Sequence, residues 1–299
     1  MYSFAHISDV HLAPLPQPHW HELLGKRITG YLNWKKHRKN QLDSATLPAI
    51  MANMHHRQPH HLLISGDIVN LSLDEEFSRA YKWLIKQGSP DDITLTLGNH
   101  DAYVIGAFNQ ACKYFAPWLT PDEKQQWDTP FPFMRIRGFV AFISVSSALA
   151  TPPFCASGYF DKKQAIDLAF LLQQAKQKNL FRVVMIHHPP IFGATHEHKK
   201  LWGIQRFQDV IKQQGAELIL HGHTHLPTIH KIEGPNNEVN VIGVASASQA
   251  FGGKKPPANY NWFDVKKIDR KWQYSMTRYS VIDSNNTIKP TETLSEILI

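Results

Sequence analysis

Only two cysteines occur in 299 residues, Cys112 and Cys155, far apart and in no metal-like spacing. A disulfide framework is therefore not expected, and both read as reduced thiols. No apolar run approaches the roughly 20 residues that a membrane-spanning helix needs. The N-terminus lacks the basic segment, apolar run and small-residue cleavage site of a secretory signal. It opens directly into Tyr2-Ser3-Phe4-Ala5-His6-Ile7, which reads as a strand, so the cytoplasm is the expected location. Internal repeats and low-complexity stretches are also missing.

What is present describes a globular chain with a sizeable core: 42% hydrophobic and 19% charged residues. The net charge of +7 suits anionic partners, whether nucleotides, nucleic acid or an anionic membrane surface, without choosing among them. Short apolar runs at Tyr2–Ile7, His61–Ser65, Ile93–Leu97, Phe139–Val145, Arg182–Ile186 and Leu218–Leu220 each end in a cluster of Asp, His, Asn or Gly. Helical patterns lie between several of them. Asp74–Gln87 places Phe77, Tyr81, Leu84 and Ile85 on one face, Lys162–Lys178 places Ile166, Ala169, Phe170 and Leu172 on one face, and Ile204–Gln214 behaves similarly. Strand–helix alternation predicts an α/β fold with a mostly buried sheet. Later, Thr228–Ile232, Val239–Val244, Tyr260–Val265 and Trp272–Val281 predict an antiparallel meander.

The expected main domain is 1–282, followed by a loose C-terminal tail at 283–299. One segment breaks the alternation. Residues 14–40 carry Trp20, Leu23, Leu24, Ile28, Tyr31 and Leu32 at helical spacing, then Lys35-Lys36-His37-Arg38-Lys39. This predicts an inserted, basic, amphipathic cap.

Five clusters stand at the C-terminal ends of the expected strands: Asp9-Val10-His11, Gly66-Asp67, Gly98-Asn99-His100-Asp101, His187-His188-Pro189-Pro190 and Gly222-His223-Thr224-His225. Ligand sites of open α/β sheets collect at those ends. Asp and Asn offer oxygen donors and His offers nitrogen, so the clusters together make a mixed site without thiolate. That donor set suits Mn²⁺, Fe or Zn²⁺, and sometimes Mg²⁺. Any one cluster alone reads as a surface or core histidine; five in this context read as a metal centre.

The order D-x-H, G-D, G-N-H-[DE], a single His and G-H-x-H, spanning Asp9 to His225, resembles the calcineurin-like metallophosphoesterases. The resemblance implies a four-layer αββα sandwich, two mixed β-sheets face to face with helices outside and the metal site at the C-terminal strand ends. It implies two divalent cations, Mn²⁺ or Fe with Zn²⁺ or Mg²⁺ as alternatives. Asp9, His11 and His225 would hold the first, Asn99, His187 and His223 the second, and Asp67 would bridge them. Of the adjacent pair, His187 is favoured because it directly follows the strand, leaving His188 behind the ligands or facing substrate. The implied reaction is phosphoester hydrolysis by a hydroxide between the two ions. His100 would act at the leaving-group oxygen, with Asp101 holding its imidazole or capping a helix.

Within that family the histidine at position 100 is the form of cyclic-nucleotide and general phosphodiesterases. Hydrolases of lipid-linked nucleotide sugars carry Arg there, although they share an apolar, basic cap. The expected function is therefore a cytoplasmic phosphodiesterase acting on a small phosphodiester or nucleotide. The alternatives are a UDP-2,3-diacylglucosamine-type pyrophosphatase peripheral to the inner membrane, or a nuclease; a non-catalytic scaffold is disfavoured because every ligand position is filled. His188, His196, Trp20 and Trp34 are the candidate substrate contacts. The cap itself reads equally as a helix packed on the core or as a platform for an amphiphilic substrate or an anionic membrane.

Overall fold

The computed structural model describes residues 1–38, 45–269 and 271–298; Lys39 and Asn40, at the end of the expected cap, lie outside them. Two six-stranded sheets carry the fold. In the first, β1 (Tyr2–Ile7), β2 (His61–Ile64) and β3 (Ile93–Leu95) run parallel. An antiparallel run of β12 (Asn259–Ile268), β13 (Lys271–Val281) and β14 (Ile288–Leu298) extends it from β1. In the second, β5 (Val140–Ser144), β7 (Phe181–Met185), β9 (Leu218–His221) and β11 (Glu238–Gly243) are parallel. That sheet is edged by antiparallel β4 (Phe133–Arg137) and β10 (Ile229–Glu233). A small pair, β6 (Gly158–Tyr159) and β8 (Leu201–Trp202), lies apart.

The period-two alternation of each central strand serves two cores at once. Phe4 of β1, Leu63 of β2, Phe142 of β5, Val183 and Met185 of β7 and Phe263 of β12 fill the space between the sheets. Phe4 stacks on Phe263 at 4.9 Å and meets Phe142 edge-on at 5.2 Å. The opposite faces, Ala5, Ile7 and Ile64 on one side and Ile143 and Val184 on the other, meet helices. On the first side these are α2 (Thr46–His56), α3 (Asp74–Gln87), α4 (Ala107–Tyr114) and α5 (Ala116–Leu119). On the second they are α6 (Lys162–Gln177), opened by an Asp161 side-chain cap on the Gln164 amide, and α7 (Ile204–Gln214). The result is the expected four-layer αββα sandwich.

Three expectations need correction. In α6 the buried stripe is Ala165, Leu168, Leu172 and Ala175, while Ile166 is 71% exposed; the helix carries two competing apolar stripes, and the one with three leucines, counting Leu171, buries more. In α3 the buried face is Phe77, Ala80 and Leu84, and Ile85 stays outside. Finally, most of 283–299 is not a loose tail. Ile288–Leu298 is the edge strand β14, held by the ladder to β13 and by Leu294 and Leu298 against the inter-sheet core.

The inserted segment forms a short 3₁₀ turn (Trp20–Leu23), α1 (Lys26–Asn33) and a π-helical turn (Trp34–Arg38). It is shorter and more broken than a single amphipathic helix.

Candidate metal centre

Five parallel strands, three from the first sheet and two from the second, end side by side. The loops after β1, β2 and β3 deliver Asp9, His11, Asp67 and Asn99, and those after β7 and β9 deliver His187, His223 and His225. Asp9, His11, Asp67, His223 and His225 all have positive φ, between 43° and 65°. Non-glycine residues avoid this region at about 1 kcal/mol or more each, and such strain concentrates at functional sites. Two glycines make the convergence possible. A Cβ on Gly98 would collide with the Asp67 carboxylate, and one on Gly222 with the side chains of Ser8 and Asp9.

Donor atoms of Asp9, His11 and His225 lie within 4.8 Å of one another, as do those of Asp67, His187 and His223. Asp67 connects the two groups. Its Oδ2 is 3.9 Å from His11 Nε2 and 3.3 Å from His187 Nε2, while Oδ1 accepts the His100 amide at 2.7 Å. Asn99 Oδ1 is 3.3 Å from the same His187 nitrogen. Asp9 Oδ2 accepts the His223 amide at 2.9 Å, and Oδ1 faces His225 Nε2 at 3.1 Å.

Three of the histidines are anchored by the nitrogen that faces away. His11 Nδ1 contacts Val69 O at 3.2 Å, His187 Nδ1 contacts Ser65 O at 2.7 Å, and His223 Nε2 contacts Lys199 O at 3.0 Å. Donation to a backbone carbonyl fixes the tautomer and leaves the other nitrogen with a lone pair, as metal-binding imidazoles require.

Electrostatics point the same way. Burial alone would raise the Asp67 carboxyl, but His187 and His100, then His11, outweigh it and hold the group well below the usual carboxylate range. Burial would lower His187; the Asp67 and Asp9 carboxylates overcome that and lift it to about 9. Two buried carboxylates, Asp9 and Asp67, are thus held ionised by the imidazoles around them. Asp9 Oδ1 is buried yet accepts no well-formed hydrogen bond. This donor set, oxygen and nitrogen without sulfur, fits divalent cations.

Two expected roles change. Asp101 does not hold the His100 ring. Its carboxylate, wholly buried, accepts the amides of Asp67 (2.8 Å), Gly98 (2.8 Å), Ile68 (2.9 Å) and Val69 (3.2 Å), clamping the loop that presents Asp67. Burial and the neighbouring Asp67 charge lift it to about 7, against the pull of those amides. His100 is instead anchored through Nδ1 to Asn70 O at 2.5 Å and stacked on Tyr103. No signal in the sequence could have named Asn70, because the contact is a backbone carbonyl.

His188 does not face substrate either. It is buried, with Nδ1 on Ser147 Oγ at 2.8 Å and Nε2 on Ala156 O at 3.0 Å, and its ring supports His223 at 4.1 Å. Both nitrogens are satisfied inside the protein.

The centre opens into a cleft of about 540 Å³. His100 and His196 line it, with Asn33, Lys199, Gln249 and Lys255. Trp20 and Trp34 do not line it. Trp20 is 81% exposed, and Trp34 packs beside Leu71, Leu73 and Tyr103.

This combination of fold and site is that of a metal-dependent phosphoesterase with two adjoining cation positions. The sequence matches the calcineurin-like phosphoesterase family over residues 2–227, and the chain belongs to that family. Among solved structures, it is similar to a dimetal phosphatase from Danio rerio, with 12% identity, a TM-score of 0.63 and 98% of each chain covered. It is also similar to the purple acid phosphatase PPD1 of yellow lupin (Lupinus luteus), with 10% identity, a TM-score of 0.56, 98% of this chain and 53% of that one covered. At such identities these likenesses speak to the fold. No curated protein matches the chain. Among the described residues, no helix is long and apolar enough to cross a membrane.

Proposed function

We propose that the chain is a dinuclear phosphodiesterase that hydrolyses a phosphodiester or pyrophosphate bond. The observation that carries this reading is the position of Asp67 Oδ2 between His11 and His187, each within 3.9 Å. Asp9, His11 and His225 would hold one cation and Asn99, His187 and His223 the other, with Asp67 shared. The donors suit Mn²⁺ or Fe. When bound, such a pair supplies an acidified water as nucleophile and offsets charge growing on the phosphoryl oxygens.

The chain's own groups do the rest. His100 stands at the cleft with its Nδ1 on Asn70 O, and Nε2 is the atom that would protonate a leaving oxygen. Lys199 and Lys255 line the same cleft. Two lysines in the cleft lining favour a substrate with a second anionic group, as in a nucleotide or a pyrophosphate. A second reading, cleavage of a lipid-linked nucleotide diphosphate, is favoured by exposed Leu32 next to cleft-lining Asn33.

The test is a hydrolysis panel with the Mn²⁺-loaded protein: bis-p-nitrophenyl phosphate, a cyclic nucleotide, a UDP-acylglucosamine and single-stranded DNA. Metal analysis should find close to two ions per chain. Asp67→Ala should lower that content and reduce turnover by about 10³-fold or more, the scale of losing a central electrostatic group. Unchanged metal content and rate in Asp67→Ala would remove the basis of the reading.

A further inference from the structure

The inserted helix α1 turns its apolar stripe away from the protein. Its inner face is Arg27, Gly30 and Tyr31, continued by Trp34. Arg27 donates to the carbonyls of Leu71 (3.0 Å) and Ser72 (2.6 Å). Gly30 lies so close to Tyr103 and Leu71 that a Cβ would collide with them. Tyr31 and Trp34 pack beside Leu15, Leu71, Leu73 and Tyr103. The outer face carries Ile28 and Leu32, 49% and 60% exposed, with Leu24, 67% exposed, just ahead of the helix and exposed Lys35 just after it. Ile28 and Leu32, one turn apart, share a side of α1; Leu24 precedes the helix across Gly25, and Lys35 follows it in the π-helical turn. A helix packed only for stability buries its apolar side; this one turns its arginine and glycine inward instead.

Other exposed apolar side chains stand near the mouth of the cleft. Phe154, 85% exposed, belongs to a loop tied to α1 by Lys26, whose Nζ donates to Thr151 Oγ1 (2.6 Å) and Cys155 O (3.0 Å). Phe154 lies two residues before Ala156, and Phe192, 61% exposed, directly precedes Gly193; Ala156 and Gly193 line the cleft, as does Asn33 after Leu32. The stripe runs into exposed Lys35 and Lys36, and the sequence continues His37-Arg38-Lys39.

We propose that this face docks on an anionic lipid bilayer and opens the metal cleft toward it. Aliphatic and aromatic groups flanked by lysines fit the apolar–headgroup boundary of a negatively charged leaflet. A second copy of the chain fits poorly. A two-fold contact would bring Lys35 and Lys36 of both copies into one interface, on a protein whose net charge is already +7. Docking stands on the surface alone. That the substrate is an amphiphilic phosphate ester held in the bilayer rests on the hydrolytic reading above.

The experiment is co-sedimentation of the Mn²⁺-loaded full chain with vesicles of phosphatidylcholine alone or mixed with phosphatidylglycerol. Two variants accompany it, Leu24→Ser/Ile28→Ser and Lys35→Glu/Lys36→Glu, together with light scattering and hydrolysis of soluble bis-p-nitrophenyl phosphate. Binding should require the anionic lipid. The first variant should bind about tenfold or more weakly for each side chain removed, the second about fivefold or more weakly per lysine. Both should hydrolyse the soluble diester at the parent rate. Failure to bind anionic vesicles, equal binding by the variants, or indifference to lipid charge overturns the proposal. So does light scattering that shows self-association abolished by Leu24→Ser/Ile28→Ser, which would assign the face to a second copy. Loss of the soluble activity in the parent with vesicle binding intact would count against the hydrolytic reading only.

Discussion

Replacing Asp101 by asparagine separates two accounts of that residue by stability rather than by rate. In the structure, one carboxylate oxygen accepts the amides of Asp67 and Gly98, and the other those of Ile68 and Val69. Asparagine keeps the shape but presents an NH₂ to one of the two pairs. Two buried amides then lose their acceptor and face another donor. At about 1–3 kcal/mol for each buried polar group left unsatisfied, the expected loss is about 3 kcal/mol, with some relief if the loop relaxes. The assay is urea unfolding in EDTA, so that metal binding does not enter the comparison. Metal affinity should fall as well, because the clamped loop presents Asp67. Were Asp101 mainly an orienting group for His100, asparagine would lower turnover and leave the metal-free stability nearly untouched. A measured loss below about 1 kcal/mol therefore refutes the clamp, because unsatisfied amides at a fully buried site carry at least that penalty.

His100→Gln should keep close to two metal ions per chain while turnover falls by about 10²–10⁴-fold, the range of a lost general acid; a drop in metal content would instead make the residue a ligand. Gly98→Ala drives a methyl into the Asp67 carboxylate and should sharply reduce metal content, which titration with Mn²⁺ would follow; normal loading would show that the loop can shift freely. Acid should destabilise the metal-free protein through His6 and His61. Burial is the largest cause in each, lowering His6 to about 3 and His61 well below its ordinary 6.5. The unfolded chain therefore binds two protons that the folded one refuses, so stability falls as pH drops below about 6.5. Between pH 6.5 and 5 His6 contributes about 1.6 kcal/mol of loss, and His61 adds to it in the same direction. Urea midpoints that do not move over that interval would contradict it.

The central strands were readable because β1, β2 and β7 are buried on both faces and so present nearly unbroken apolar runs. The motif residues follow those runs directly, so the strand ends and the site were legible together. The strand β14 was not, since only Ile288, Leu294 and Leu298 pack inward and its other positions look like surface. The stripe of α6 was ambiguous because both of its faces carry large apolar residues, and only the neighbouring sheet decides between them. In the insert, helical spacing was visible but not its orientation; Arg27 and Gly30 face inward because backbone carbonyls and Tyr103 await them there. The anchors of His100 and His187 are carbonyl oxygens of Asn70 and Ser65, atoms that every residue possesses and that no sequence pattern marks.

The seven candidate ligands come from both sheets, and each proposed cation position takes side chains from each. Asp9 and His11 belong to the first sheet and His225 to the second; Asn99 belongs to the first and His187 and His223 to the second. Ions seated there would fasten the seam at one end of the sandwich, much as a clasp closes a book. Their affinity then becomes a gauge of how well the two halves meet, and a substitution deep in the spine, at Phe4 or Phe142, would register as weaker ion retention at the far edge.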